Sequence, residues 1–142
     1  MKVLLFGGTG FIGNSLAAHL TAHGFEVVQL ARHAPVRSPY RFVRWDGVTV
    51  GDWAAELEGA AAIVNLTGRS VDCIKTPENC DVILRSRVDS CRAIGKAVEG
   101  IRKPPSVWVQ MSTAHIYGDP PARVAACIIL RTAGRTGPRS LP

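Results

Sequence analysis

An apolar run from Val3 to Phe6 breaks directly into closely spaced glycines and then resumes as a helix-forming segment, and few folds accept that succession. Four consecutive apolar residues predict a strand buried on both faces, as in a parallel sheet covered by helices. Gly7, Gly10 and Gly13 follow as G-x-x-G-x-x-G, a variant of the commoner G-x-G-x-x-G, with Gly8 adding slack to the turn. Glycines placed there serve a sharp turn, close approach of the backbone to a pyrophosphate, and tight packing of the next helix on the strand. The positive end of that helix then faces the anion. No Lys-Ser or Lys-Thr pair follows the last glycine, which argues against a nucleoside-triphosphate P-loop.

Downstream, the same alternation repeats. Asn14 to His23 predicts a helix with Leu16, Ala17 and Leu20 on one side and Gly24 closing it at C′, and Glu26 to Leu30 predicts a second strand, completing a βαβ unit. At the end of that strand, where Asp or Glu commonly meets a free ribose 2′-hydroxyl, the chain reads Gln29-Leu30-Ala31-Arg32. The planar donors of Arg32 suit a 2′-phosphate, which favours NADP over NAD. Arg41 to Trp45 predicts a third strand ending at the Asp46-Gly47 turn, where Asp46 either approaches the adenine edge or shapes the turn. Asp52 is expected to cap a short helix over Trp53 to Glu58, before a fourth strand at Ala60 to Val64 and the polar break Asn65-Leu66-Thr67-Gly68. Parallel sheets bind ligands at the carboxyl ends of their strands, so Leu66 and Thr67 fall on the same edge as the glycine turn.

Thr76 as N-cap, Pro77 at N1 and Glu78 in the first turn announce a long helix. Leu84, Val88, Cys91, Ile94 and Val98 form its apolar stripe, Gly95 permits close packing, and Gly100 ends it. Ser106 to Met111 predicts a fifth strand, followed by Ser112, Thr113, His115 and Tyr117 as a third polar segment on the ligand edge.

Composition limits the class of partner. Hydrophobic residues at 46% and charged residues at 20% fit a globular α/β chain. No apolar span of membrane length occurs and Met1-Lys2 leads straight into a strand, so no membrane association and a cytoplasmic location are expected. Cys73, Cys80, Cys91 and Cys127 have neither zinc-ligand nor disulfide-framework spacing and are expected to be reduced, mostly packed thiols, with no metal site. The net charge of +6 is uneven: residues 1–120 hold all 11 acids and 13 of the 17 Lys and Arg, whereas residues 121–142 hold four Arg and no acid. That distribution argues against a nucleic-acid-binding face on the domain.

The segments Gly7-Gly8-Thr9-Gly10-Phe11-Ile12-Gly13, Ala31-Arg32, Trp45-Asp46-Gly47, Val64-Asn65-Leu66-Thr67-Gly68, Ser86-Arg87-Val88 and Ser112-Thr113-Ala114-His115-Ile116-Tyr117-Gly118 stand in an order and spacing that resembles the extended and atypical short-chain dehydrogenase/reductases. The resemblance covers residues 1 to about 119 and is strongest to the NAD(P)-dependent epimerase/dehydratase-like branch of epimerase family proteins. It implies an α/β fold with a doubly wound, Rossmann-like parallel sheet of about five strands, incomplete relative to the family, with NADP across the strand ends. It assigns cofactor binding to Gly7, Thr9, Gly10, Phe11, Ile12 and Gly13, to Arg32 at the 2′-phosphate, to Leu66 and Thr67, and to Arg87 on the long helix. Ser112 or Thr113 would fill the hydroxyl role in hydride chemistry. The Tyr-x-x-x-Lys pair of the larger family is not matched, because Pro121 stands four residues after Tyr117.

Residues 120–142 depart from the family pattern in composition, and a frameshifted or prematurely ended reading frame is the expectation there, with a basic nucleic-acid arm as the alternative. Val124 to Leu130 would add an edge strand or short helix, with disorder expected after Thr132. Three functional readings stay open at this level. One is the NADP-binding half of an atypical reductase or epimerase acting on a small-molecule substrate. Another is a non-enzymatic NADP-binding module or sensor, completed by self-association across the free edge of the fifth strand. The last is a non-functional fragment.

Overall fold

The computed structural model describes residues 1–112 and the backbone of Arg131–Thr132. Five parallel strands form the sheet in the order β3-β2-β1-β4-β5: β1 (Lys2–Phe6), β2 (Glu26–Ala31), β3 (Arg41–Arg44), β4 (Ala62–Asn65) and β5 (Val107–Gln110). Helix α1 (Phe11–Ala22) crosses from β1 to β2, a 3-10 helix (Asp52–Leu57) lies between β3 and β4, and α2 (Pro77–Glu99) crosses from β4 to β5. A sixth strand, β6 (Arg131–Thr132), pairs antiparallel with Val107 and Trp108. Two residues of the basic tail thus join the sheet, and they occupy part of the β5 edge on which self-association is expected from the sequence.

Alternating side chains of the central strands divide the core into two layers, as a doubly wound sheet requires. Val3, Leu5, Val27 and Val64 point to the α1 side and pack with Ala17, Leu16 and Leu20. Leu4, Phe6, Val28, Leu30 and Ile63 point to the other side, against Trp45, Trp53, Leu57 and the Ala93, Ile94 and Ala97 face of α2. There Phe6 meets Trp45 and Trp53 edge-on, with ring centroids 4.9 and 5.3 Å apart. Each such contact contributes about 0.5–1.5 kcal/mol beyond the area it buries.

Several elements begin or pack differently from the sequence expectation. Helix α1 starts at Phe11, not Asn14, because Gly13 already sits inside the first helical turn while Gly10 is the N-cap. Asp52 does not cap the short helix: Gly51 holds that position without a side-chain hydrogen bond, and the segment winds as a 3-10 turn from Asp52. In α2 the N-cap is as expected, with Thr76 accepting from Asn79 N–H at 3.2 Å. Its apolar stripe, however, is buried only in the C-terminal half, where Ser90, Ala93, Ile94 and Ala97 face the sheet, whereas Leu84 is 60% exposed. Gly95 is not forced by packing either, since an added Cβ would meet only the Trp108 ring, at 3.9 Å.

Candidate functional site

The order β3-β2-β1-β4-β5 places a switch in winding direction between β1 and β4, and a crevice opens outside the carboxyl ends of such a pair. The glycine turn leaves β1 on one side, and Asn65-Leu66-Thr67 leaves β4 on the other. Backbone bonds hold the two exits to the sheet: Leu66 N–H donates to Phe6 C=O of β1 at 2.8 Å, and Gly7 N–H donates to Leu30 C=O of β2 at 2.7 Å.

The glycines of the turn have separable causes. Gly7 adopts φ +74, and a Cβ there would also stand 3.1 Å from the Leu66 carbonyl carbon and Thr67 N. A Cβ on Gly13 would lie 2.4 Å from Gly8 O, so α1 can approach the turn this closely only without one. Gly8, read from sequence as slack, is as confined, with Leu5 O 2.7 Å from a Cβ. Gly10 differs: its φ is −76 and its nearest neighbour would be Gly7 O at 3.6 Å, an ordinary contact. The fold therefore leaves room for a Cβ at position 10.

Beside Gly10, the α1 N-terminus has the electrostatics of an anion site. Its N-cap makes no side-chain hydrogen bond and its first turn holds no acid, so neither a capping oxygen nor a carboxylate competes for the terminal N–H groups. Phe11 is 89% exposed and Ile12 is 50% exposed, so both present apolar surface at this rim. Thr9 is half-buried, with its carbonyl accepting from Asn14 Nδ2 at 3.0 Å.

Arg32 follows directly on β2, two residues past the Leu30 carbonyl that anchors Gly7. It is exposed and makes no ion pair among the described residues, whereas Arg41 at the start of β3 is paired with Glu56, which also meets Lys2 at 3.7 Å. Asp46 shapes its turn: Oδ1 accepts from Val48 N–H and Thr49 N–H, both at 2.8 Å, and Oδ2 from the Thr49 hydroxyl at 2.6 Å. These bonds, the Thr49 hydroxyl foremost, hold its carboxyl below the usual carboxylate range. The same turn presents Thr49 C=O to the indole N–H groups of both Trp45 and Trp53, at 3.0 and 2.9 Å.

On the β4 side, fully buried Asn65 organises the exit. Its Oδ1 accepts from Thr67 N–H at 3.1 Å and from the Thr67 hydroxyl, while Nδ2 donates to Gln110 Oε1 at 3.0 Å. Leu66 and Thr67 are half-buried beside it. Arg87 reaches the next part of this loop: Nη1 donates to Ile83 C=O at 3.0 Å, Nη2 to Arg69 C=O at 3.2 Å, and its guanidinium lies against Gly68. Ser86 Oγ accepts from Arg69 N–H at 3.0 Å. Cys91 is half-buried, and desolvation raises its thiol pKa, which leaves it protonated and poorly nucleophilic.

Ser112 lies two residues beyond β5, exposed, on the same sheet edge, and Met111 N–H donates to Asn65 C=O at 2.9 Å. Thr113, His115, Tyr117, Cys127 and the Val124 to Leu130 run lie outside the described residues. The structure thus gathers the glycine turn, Arg32, Leu66, Thr67 and Ser112 along one edge. Sequence reasoning passed over Gln29 and the orienting role of Asn65. The available signal was an amide within an otherwise apolar buried run, inside β2 for Gln29 and at the end of β4 for Asn65.

Comparison with known proteins agrees with this architecture. The profile of the NAD dependent epimerase/dehydratase family matches residues 3–136. The chain is 30% identical over 123 residues to the epimerase family protein YfhF of Bacillus subtilis, covering 83% of this chain and 39% of that protein. It is 35% identical over 127 residues to a dTDP-6-deoxy-L-talose 4-dehydrogenase (NAD(P)(+)) of Kitasatospora kifunensis, covering 84% of this chain and 37% of that protein. The crystal structure of human epimerase family protein SDR39U1 with NADPH superposes with a TM-score of 0.70 at 30% identity, covering 85% of this chain and 39% of that one. Among the described residues no helix is long and apolar enough to cross a membrane.

Proposed function

The chain belongs to the NAD dependent epimerase/dehydratase family, and from that premise we propose that it binds NADP across the carboxyl ends of β1, β2 and β4, as the cofactor half of an atypical short-chain reductase or epimerase. One observation carries the reading: a Cβ at position 10 would meet only Gly7 O, at 3.6 Å, yet glycine stands there, at the uncapped N-terminus of α1. Close approach of a pyrophosphate explains both features. Human SDR39U1, 30% identical to this chain, was crystallised with NADPH, which supports the same choice of nucleotide here.

The residues divide the work. The N–H groups at the start of α1 would hold the pyrophosphate, with Thr9, Phe11 and Ile12 bordering it. Arg32, exposed and without an ion pair among the described residues, would take the 2′-phosphate through its planar donors. Leu66 and Thr67 would line the β4 side, fixed by Asn65. Arg87, given cofactor contact by resemblance, spends two donors on the Ile83 and Arg69 carbonyls and so would also hold the β4-exit loop in place. NADP supplies hydride transfer when bound. The Ser112 hydroxyl, on the same edge, would hydrogen-bond a substrate carbonyl, with Thr113 as its neighbour in sequence. A small-molecule substrate belongs to this proposal. The chain spans 39% of the length of the Bacillus relative.

Titration of the purified chain with NADPH and NADH, followed by tryptophan fluorescence, tests the reading. Saturable binding with NADPH preferred is expected, and Arg32→Ala should weaken NADPH roughly tenfold while changing NADH by less than about twofold. Absence of saturable binding by either nucleotide overturns the proposal, and a preference for NADH removes the role given to Arg32.

A further inference from the structure

Gln29 sits in the middle of the sheet, fully buried, in a strand whose other interior residues are Val27, Val28 and Leu30. A buried primary amide is costly unless its donors and acceptor are matched. Here both donors are used: Nε2 gives one hydrogen bond to Gly8 C=O at 2.7 Å and one to Asn14 Oδ1 at 3.0 Å. The acceptor is used as well, with Ser38 Oγ donating to Oε1 at 3.2 Å. Each end continues. Asn14 Nδ2 donates to Thr9 C=O at 3.0 Å, and Tyr40 N–H donates to Ser38 Oγ at 3.1 Å. One amide therefore connects two carbonyls of the glycine turn to the loop between β2 and β3, the loop that begins with Arg32.

An apolar residue would fill this interior strand position, but it would leave Gly8 C=O, Asn14 Oδ1 and Ser38 Oγ without the bonds that Gln29 makes to them. What the amide adds is a fixed relation between two backbone segments that otherwise meet only through the sheet. On the reading that this chain binds NADP, those segments are the pyrophosphate turn and the 2′-phosphate loop. We propose that Gln29 is a positioning residue for nucleotide selectivity: through Gly8 and Asn14 on one side and Ser38 on the other, it sets the 2′-phosphate loop at the correct place relative to the pyrophosphate turn. Gln29 touches no ligand in this account. It acts through Arg32, so its contribution exists only for a nucleotide that carries the 2′-phosphate and only while Arg32 is present.

The test is a set of paired substitutions in the full chain, with NADPH and NADH as probes. Gln29→Met keeps the length of the side chain and removes all three hydrogen bonds; it is expected to weaken NADPH on the order of tenfold and NADH much less. The extra loss for NADPH should disappear in an Arg32→Ala background, which a merely structural role would not produce. Equal weakening of both nucleotides, or the same loss for NADPH with and without Arg32, overturns the inference. Should Gln29→Met fail to fold by circular dichroism, Ser38→Ala severs the relay outside the core, and the same loss confined to NADPH and to the Arg32 background is expected from it; strictly additive effects there also overturn the inference. A wild-type chain that binds neither nucleotide is a different failure, seen before any substitution, and it removes the NADP reading itself.

Discussion

A single added methyl group separates the two kinds of glycine in the turn after β1. At Gly13 a Cβ would stand 2.4 Å from Gly8 O, so Gly13→Ala must push α1 off the turn, and a loss of more than about 2 kcal/mol of stability is expected in chemical denaturation. At Gly10 the nearest atom would be 3.6 Å away, so Gly10→Ala should change stability by no more than about 1 kcal/mol while abolishing measurable NADPH binding. Equal effects of the two on stability would contradict the division. The sequence spacing showed that glycines were needed but not which of them the fold itself confines, because that depends on the atoms each would meet in the folded turn. Asp46 shows the same limit: the turn was legible, but its hydrogen bonds to Thr49 and the sharing of Thr49 C=O by two indoles were not. Since its folded pKa is depressed, the stability Asp46 contributes is present above the unfolded carboxylate value and is lost as pH falls through the lower folded value. Asp46→Ala should therefore lower the melting temperature at about pH 7, with a deficit that narrows as pH falls below the ordinary unfolded Asp value of about 3.9, in thermal melts read by tryptophan emission.

Helix α2 shows how far one element can be read from its own residues. Its two ends were legible, because Thr76, Pro77 and Gly100 act locally: a cap, a preset φ and a break are written within a few residues. Its buried face was only half legible. Periodicity assigns Leu84 and Ile94 to similar environments, yet Ile94 is fully buried and Leu84 is 60% exposed, since only the C-terminal half of α2 lies over the sheet. Where a helix overhangs its partner is a property of strand and loop lengths elsewhere in the chain. Ile94→Ala is therefore expected to cost about 2–5 kcal/mol, Leu84→Ala less than about 0.5 kcal/mol, and Thr76→Ala about 1 kcal/mol through the lost bond to Asn79 N–H. Denaturant titrations of the three variants check the order, and a Leu84 effect as large as that of Ile94 would show that the first half of α2 is covered.

At the scale of the molecule, topology does what no single motif does. The order β3-β2-β1-β4-β5 brings residues from the first 32 positions beside residues 66, 67 and 112, and buried amides tie neighbouring exits, Gln29 to Gly8 and Asn65 to Gln110. The strand sequence, and the polar segments that leave the strands' carboxyl ends, were legible because buried parallel strands and their polar ends follow one another in a fixed rhythm. The amide ties were not, because each joins residues distant in the chain. A ligand lying across this edge would contact segments leaving three different strands, so its binding energy should appear as stability of the whole sheet rather than of one loop. Mass action then sets the size: at a concentration near 100 times Kd, NADPH should add about 2.7 kcal/mol, which for a chain of this length raises the melting temperature by roughly 10 °C. NADH at the same concentration should add less, by the factor that Arg32 contributes to affinity, and Arg32→Ala should bring the NADPH shift down to the NADH value. A thermal shift that is identical for both nucleotides in the wild-type chain would mean that the 2′-phosphate is not read at the end of β2, even if the glycine turn holds the pyrophosphate.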